Sequence, residues 1–360
     1  MVFEDESLPK SVPVDERTKE ILLTVLTKYR KELAESVRAR TGLETGSITS
    51  AEIKQVAKFS GAGGETFIVG CSFQTTAAGQ IEGGIVLKYA KDLDSEVENA
   101  NALNKLLEKR QKEFEKSGIE LPESMNWFPR RVFAPKVLGI YPDASCLILE
   151  FLGDIVPLED SPLKRFEDRF RILGYALGRF HGTRLLKVKS KHYDPLFRAI
   201  KGLVSAESLD QWRSDLDGSP GGAEFIHGDS HLQNIMFGPG RLALIDAILV
   251  PGLEWMDDLG YAISHFVQEK LALAENELQL KNAAKPLMDR LLTAIVPKMF
   301  SSYSAAIGNM KIYDNLPIDF FLGAHLIVRS LLYDGHLSEG LKSLGVHFVE
   351  ERPFCSLTGS

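Results

Sequence analysis

His227-Gly228-Asp229-Ser230-His231-Leu232-Gln233-Asn234, and then Ile245-Asp246, is the stretch that decides how this chain reads. It sets a carboxylate, an amide and a second carboxylate at steps of five and twelve residues. Phe225-Ile226 leads into the first block, and Leu242-Ala243-Leu244-Ile245 leads into the second aspartate. Short apolar runs on either side of a polar turn predict a loop held between strands. Such a loop suits the activation of a hydroxyl and the holding of magnesium beside a nucleotide triphosphate, because carboxylate and amide oxygens are hard ligands.

Working outward, Ile85-Val86-Leu87-Lys88-Tyr89 reads as a strand that ends in a cation. Lys88 there could reach the phosphates of a nucleotide, or it could simply extend from a strand edge into water. A charged helix is predicted from about Ser95 to Lys116. On it Glu96 is the expected partner of Lys88, because Ala100, Leu103 and Leu107 follow on one face; Glu98 is the rival. Upstream, Ser60-Gly61-Ala62-Gly63-Gly64-Glu65-Thr66 could lay backbone N–H groups over phosphates, with Gly61, Gly63 and Gly64 permitting close approach. A tight hairpin turn explains it equally well. Cys146-Leu147-Ile148-Leu149-Glu150-Phe151-Leu152 is a buried strand ending near Gly153. Backbone groups of Glu150 and Leu152 could meet a nucleotide base there, or the strand could merely leave its sheet.

The blocks HGDSHLQN, ALID and Asp258-Leu259-Gly260 together resemble the aminoglycoside phosphotransferase and choline kinase group of small-molecule kinases. Leu149 to Leu152 and the segment Leu177-Gly178-Arg179-Phe180-His181-Gly182 resemble that group's hinge and following helix. The resemblance spans roughly residues 55–265. It implies an α+β, bilobal, protein-kinase-like fold, with a small β-rich N-terminal lobe and a larger, mostly helical C-terminal lobe. It implies Asp229 as catalytic base, Asn234 and Asp246 as magnesium ligands, and ATP, with GTP possible, as phosphate donor. The acceptor would be a small molecule bearing a hydroxyl. Asp258 would tie its loop to the catalytic segment or cap a helix. Ala247, Ser230 and Leu232 depart from the group's usual residues without removing a ligand.

The expected organisation is a helical extension over 1–41, a nucleotide-binding lobe over 42–149 and a catalytic and substrate-binding lobe over 150–360. The extension reads as a helix over 15–41, with Ile21, Leu22, Val25, Leu26, Tyr29 and Leu33 at helical spacing. Residues 116–131 read as an insertion loop, and helical patterns near 163–182 and over most of 258–348 dominate the second half.

Composition sets the bounds. The chain of 360 residues is 44% hydrophobic and 25% charged, ordinary for a water-soluble globular protein. A net charge of -7 argues against a nucleic-acid binder. All of that excess falls after residue 195, which favours a cationic acceptor, with Glu254 and Asp257 as candidates to face it. The acidic start lacks a leader-like apolar run, and no uncharged apolar run is long enough to span a membrane. Three distant cysteines, Cys71, Cys146 and Cys355, fit a reducing cytoplasm. His265, His325 and His336, in apolar helical stretches, read as satisfied core histidines.

Rival chemistries stay in view. Ser230 invites a serine-hydrolase reading, and His227, Asp229 and His231 invite a metal-dependent hydrolase. A protein substrate is a nearer rival, but the chain has no HisArgAsp, AspPheGly or AlaProGlu.

Overall fold

In this computed structural model, residues 20, 24–25, 27–29, 31, 33–35, 48–61, 64–153, 155–183, 186–219, 221–238, 240–308 and 317–354 are described. The fold is α+β and divides into two compact units. The first gathers the described residues through Asn104 and those from Ala134 to Asp154; the second gathers Lys105–Phe133 and the described residues from Ile155 onward.

The first unit is built on a five-stranded antiparallel sheet. Ile48–Gly61 pairs with Gly64–Thr75, which pairs with Gly79–Tyr89; Cys146–Glu150 and Val137–Tyr141 complete the order. Alternate residues of a strand share a face, so Val69, Cys71 and Phe73, together with Ile85 and Leu87, fall on the buried side. Cys146, Ile148 and Leu138 join them, as do Val25, Leu33 and Ala34 from the described part of the predicted 15–41 helix. Tyr29 donates to the Ile140 carbonyl at 2.8 Å.

The second unit is mostly helical. Helix Phe166–His181 packs on Val296–Ile307, and Ile318–Ser330 packs on both Met256–Leu271 and Gly335–Glu351. Gly260 lets two of these helices meet closely, because a Cβ there would lie 2.6 Å from the Phe321 Cβ. The predicted charged helix runs Leu93–Ser117 and crosses from one unit's residues to the other's. The stretch predicted as an insertion loop is anchored by buried Met125 and Phe128, the latter edge-on to Tyr175 at 5.2 Å.

Two small sheets in this unit position the chemistry. Ile235–Gly238 and Arg241–Leu244 form a hairpin in one, flanked by Val156–Pro157 and, in parallel, Arg131–Phe133. Phe225–Ile226 and Val250–Pro251 form the other. Residues 227–234 and 245–249 are therefore two loops strung between the same two sheets. No helix among the described residues is long and apolar enough to cross a membrane.

Candidate active site

The two loops are laced together at both ends. The Ile245 amide donates to the Asn234 carbonyl at 3.0 Å, and the Ile248 amide donates to the His227 carbonyl at 2.8 Å. Asn234 ends one loop and Asp246 begins the other at the open end of the hairpin, so strand pairing brings these sequence-distant residues side by side. Gly228 turns at φ 80°, which a side chain would resist. Asp246 adopts φ 55°, a conformation aspartate tolerates better than most residues, and its side chain is exposed.

Asp258 pins the first loop from below. Its fully buried carboxylate accepts the His227 amide at 2.7 Å, the Gly228 amide at 2.8 Å and the His181 Nε2 at 2.9 Å. Its backbone carbonyl accepts the Ser230 hydroxyl at 2.6 Å. Burial pushes the Asp258 carboxyl up. The His181 bond, the charges of His181 and His227 and the His227 amide outweigh it, leaving the group below its ordinary value. The tie expected of Asp258 is present, and its partner His181 is held in turn by the Tyr303 hydroxyl at 3.0 Å.

Asp229 stands at the centre. Asn234 Nδ2 donates to its Oδ2 at 3.0 Å and to its backbone carbonyl at 2.9 Å. The Tyr261 hydroxyl donates to its Oδ1 at 2.7 Å, and His231 Nε2 lies 3.6 Å from the same oxygen. The Asp229 amide donates to His227 Nδ1 at 3.4 Å, so His227 supports the loop backbone. Burial depresses His227 below the usual imidazole range; Asp258, Asp229 and Asp246 pull the other way, which puts all three carboxylates within electrostatic reach of one ring.

A third layer flanks Asp229. His231 stacks on His265 at 4.5 Å between centroids. Burial first, then His231 and Arg329, push His265 down to about 4. Burial and the neighbouring Glu159 push Glu269, 3.3 Å from His265, up to about 7. Burial also depresses His231, with Asp229 pulling the other way. His325 Nε2 is hydrogen-bonded to Asp257, and His336 Nε2 donates to the Ala274 carbonyl at 3.0 Å, so each of the three helical histidines has a partner.

Tyr261 was not legible as a site residue. The signal lay in its spacing: three residues after Asp258, it shares the helix face that meets the loop.

In the first unit, Lys88 Nζ pairs with Glu96 Oε2 at 2.9 Å, and Glu98 is exposed. Gly61 and Gly64 face each other across the end of a hairpin; Gly63 lies outside the described residues, as does Cys355. Glu150 ends its strand, with its amide on the Lys136 carbonyl at 2.9 Å, and Leu152 is buried.

Several expectations are corrected. Glu254 and Asp257, expected to be open to a cation, are buried and already partnered. Glu254 is buried on the Ser219 hydroxyl at 3.0 Å and Asp257 is engaged by His325. Ser230 is fully buried on its Asp258 bond and is not placed to attack anything. Ser230→Ala is therefore expected to leave turnover near wild type and to lower stability by about 1–2 kcal/mol. A hydrolase using Ser230 would lose its activity. Among the described residues no three His, Cys, Asp or Glu side chains converge as metal ligands, so His227, Asp229 and His231 form no such centre.

Burial pushes Glu254 up to about 7. In the unfolded chain it titrates near 4.3. Its contribution to stability is thus fully present below about 4.3 and is lost as pH rises through 7. Glu254→Gln should flatten that loss, and melting temperatures of both proteins at pH 5 and pH 8 will show whether the gap changes.

No family model and no curated protein sequence matches the chain. Among solved structures, it is similar to an amicoumacin kinase, hAmiN, in complex with AMP-PNP, Ca2+ and Ami. That match has 12% identity and a TM-score of 0.42, and covers 92% of this chain and 96% of the other. It is also similar to a choline/ethanolamine kinase family protein from Mesorhizobium loti. There the identity is 13%, the TM-score 0.43, and the coverage 91% of this chain and 100% of the other.

Proposed function

We propose that this protein is a phosphotransferase that moves the terminal phosphoryl group of ATP, or GTP, to the hydroxyl of a small molecule. The observation that carries the reading is the lacing of two loops that sets Asp229, Asn234 and Asp246 together over one buried histidine. Asp229 is a carboxylate held at both oxygens, suited to orient an alcohol and accept its proton as the bond to phosphorus forms.

The donor set also fits a divalent cation. The Asn234 nitrogen is engaged by Asp229, which leaves the hard amide oxygen as the ligand atom, and Asp246, one residue beyond the amide that bonds the Asn234 carbonyl, is exposed. Asn234 and Asp246 would hold magnesium, which when bound neutralises charge on the triphosphate oxygens. Lys88, steadied by Glu96, would hold phosphate oxygens as a point charge. Glu150 and Leu152 would offer backbone groups to the base, and Gly61 and Gly64 would keep the hairpin end low enough to cover phosphates. Membership of the aminoglycoside phosphotransferase and choline kinase group follows from the same reading. On this reading the nucleotide-binding lobe would span 42–149 and the catalytic lobe 150–360, with an extension over 1–41, although Lys105–Phe133 groups with the second compact unit and the described residues before 42 with the first.

The test is ADP release from magnesium–ATP by the full chain with a panel of amino sugars, choline-like amines, sugars and hydroxy acids. Stimulation by one compound, lost on chelation of the cation and strongly reduced in Asp246→Ala, is expected. Phosphate release from simple esters without any nucleotide would sink the reading in favour of hydrolysis.

A further inference from the structure

Both oxygens of Asp229 carry a hydrogen-bond donor, and the two donors differ in kind. Asn234 holds Oδ2 through an amide from within the same loop. Oδ1 is held by a hydroxyl, that of Tyr261, from helix Met256–Leu271. A hydroxyl is the group that an acceptor would bring to this carboxylate in the proposed transfer.

The phenol is held firmly in place. The Arg329 guanidinium sits over its ring at 4.5 Å, and the His325 ring meets it edge-on at 5.3 Å. Arg329 is fixed by Nε on the Ser264 hydroxyl at 3.1 Å and by Nη1 on the Gln268 carbonyl oxygen at 2.8 Å. Ser264 in turn donates to the Tyr261 carbonyl at 2.7 Å. Burial first, then the bond to Asp229, push the Tyr261 hydroxyl up to about 12, so it remains a donor over the working pH range. The Tyr261 side chain is only partly buried and that of Asp229 is 31% exposed, so the pair is not sealed from solvent.

We infer that Tyr261 is a placeholder on Asp229: its hydroxyl occupies the position an acceptor alcohol must take, and it keeps water from that position until an acceptor displaces it. The inference rests on the phosphotransfer reading above. The reaction it suppresses is idle hydrolysis. In that reaction a water oxygen bonds to the terminal phosphorus and the bond from phosphorus to the bridging oxygen breaks. ADP leaves with that electron pair, and a water proton passes to Asp229. Tyr261 is thus a positioning residue that raises the threshold for any acceptor. A molecule unable to supply its own binding contacts cannot displace a charge-assisted hydrogen bond.

The experiment uses the full chain with magnesium–ATP and no added alcohol. Tyr261→Phe keeps the ring for Arg329 and His325 and removes only the oxygen. ADP release should rise about tenfold, the factor that corresponds to one modest hydrogen bond to a charged group. The melting temperature should stay near that of wild type. The rise should vanish in the Asp229→Asn, Tyr261→Phe double variant. With an acceptor found in the compound panel, Tyr261→Phe should lower the acceptor KM while kcat holds.

Unchanged or slower ADP release in Tyr261→Phe, in a protein whose acceptor-stimulated turnover needs Asp229, overturns the placeholder and leaves the kinase reading standing. Phosphate found on Tyr261 of the wild-type protein also overturns it, since the phenol would then be an acceptor itself. If neither protein releases ADP in an Asp229-dependent way under any condition, the phosphotransfer reading fails and takes the inference with it.

Discussion

Asp229→Asn is expected to reduce acceptor-dependent phosphoryl transfer by roughly 10²–10⁴-fold, the range a positioned general base contributes. The substitution is nearly isosteric. Asparagine keeps an oxygen for the Tyr261 hydroxyl, and the Asn234 bond to the residue-229 carbonyl is a backbone contact that survives. What is removed is the negative charge, the ability to take a proton and the Asn234 bond to Oδ2, which an amide nitrogen there cannot accept. The loop stays anchored by Asp258, which does not touch the 229 side chain. Turnover should therefore collapse while the melting temperature moves little. Initial rates over a range of acceptor concentrations separate the causes: a lost base lowers kcat, whereas a lost binding contact raises KM. A fall of less than about tenfold, with the cation still required, would move the base elsewhere and reduce Asp229 to a support.

The sequence showed the parts of this site that are local. His227, Asp229 and Asn234 lie within one loop, and the flanking apolar pairs announce the strands that hold it. Lys88 and Glu96 are separated by eight residues, and the choice of Glu96 over Glu98 followed from helical phase alone. The first strand escaped notice for a physical reason. Its pairing shifts register between Ile48 and Ser50 and again between Ile53 and Gln55, and such irregularities spoil the two-residue alternation that marks a strand. The contacts of Tyr261 with Asp229 and of His181 with Asp258 escaped for another: they join residues 32 and 77 positions apart, and the spacing of Tyr261 from Asp258 points to the loop only once the helix is known to pack there. Glu254 and Asp257 stood out through the acidic balance of the second half, and net charge does not say which acids are buried. Burial depends on what the rest of the chain brings over them, here Ser219, Tyr193 and His325. Met125 and Phe128 were overlooked similarly, as two apolar residues in a stretch rich in turn formers.

Asp258→Ala should produce the largest loss of stability of any single change at this site. The carboxylate is fully buried and satisfies two backbone amides and one imidazole. Alanine removes the acceptor and supplies none. The His227 and Gly228 amides would be left buried without partners at about 1–3 kcal/mol each, and His181 would lose the group that orients it. Removing one member of a buried charged network costs about 3–5 kcal/mol in comparable settings. For a chain of this size that is a fall in melting temperature of roughly 10 °C. The pH dependence carries a sign that tests the mechanism. The folded carboxyl lies below its ordinary value, so its contribution is present above the unfolded value of about 3.9 and is lost as pH falls through the folded one. The gap between wild type and Asp258→Ala should accordingly be wide at pH 6 and should narrow on approach to pH 3. A gap that stays constant over that interval would mean the loss is one of packing, and the carboxylate would no longer explain why the 227–234 loop holds its shape.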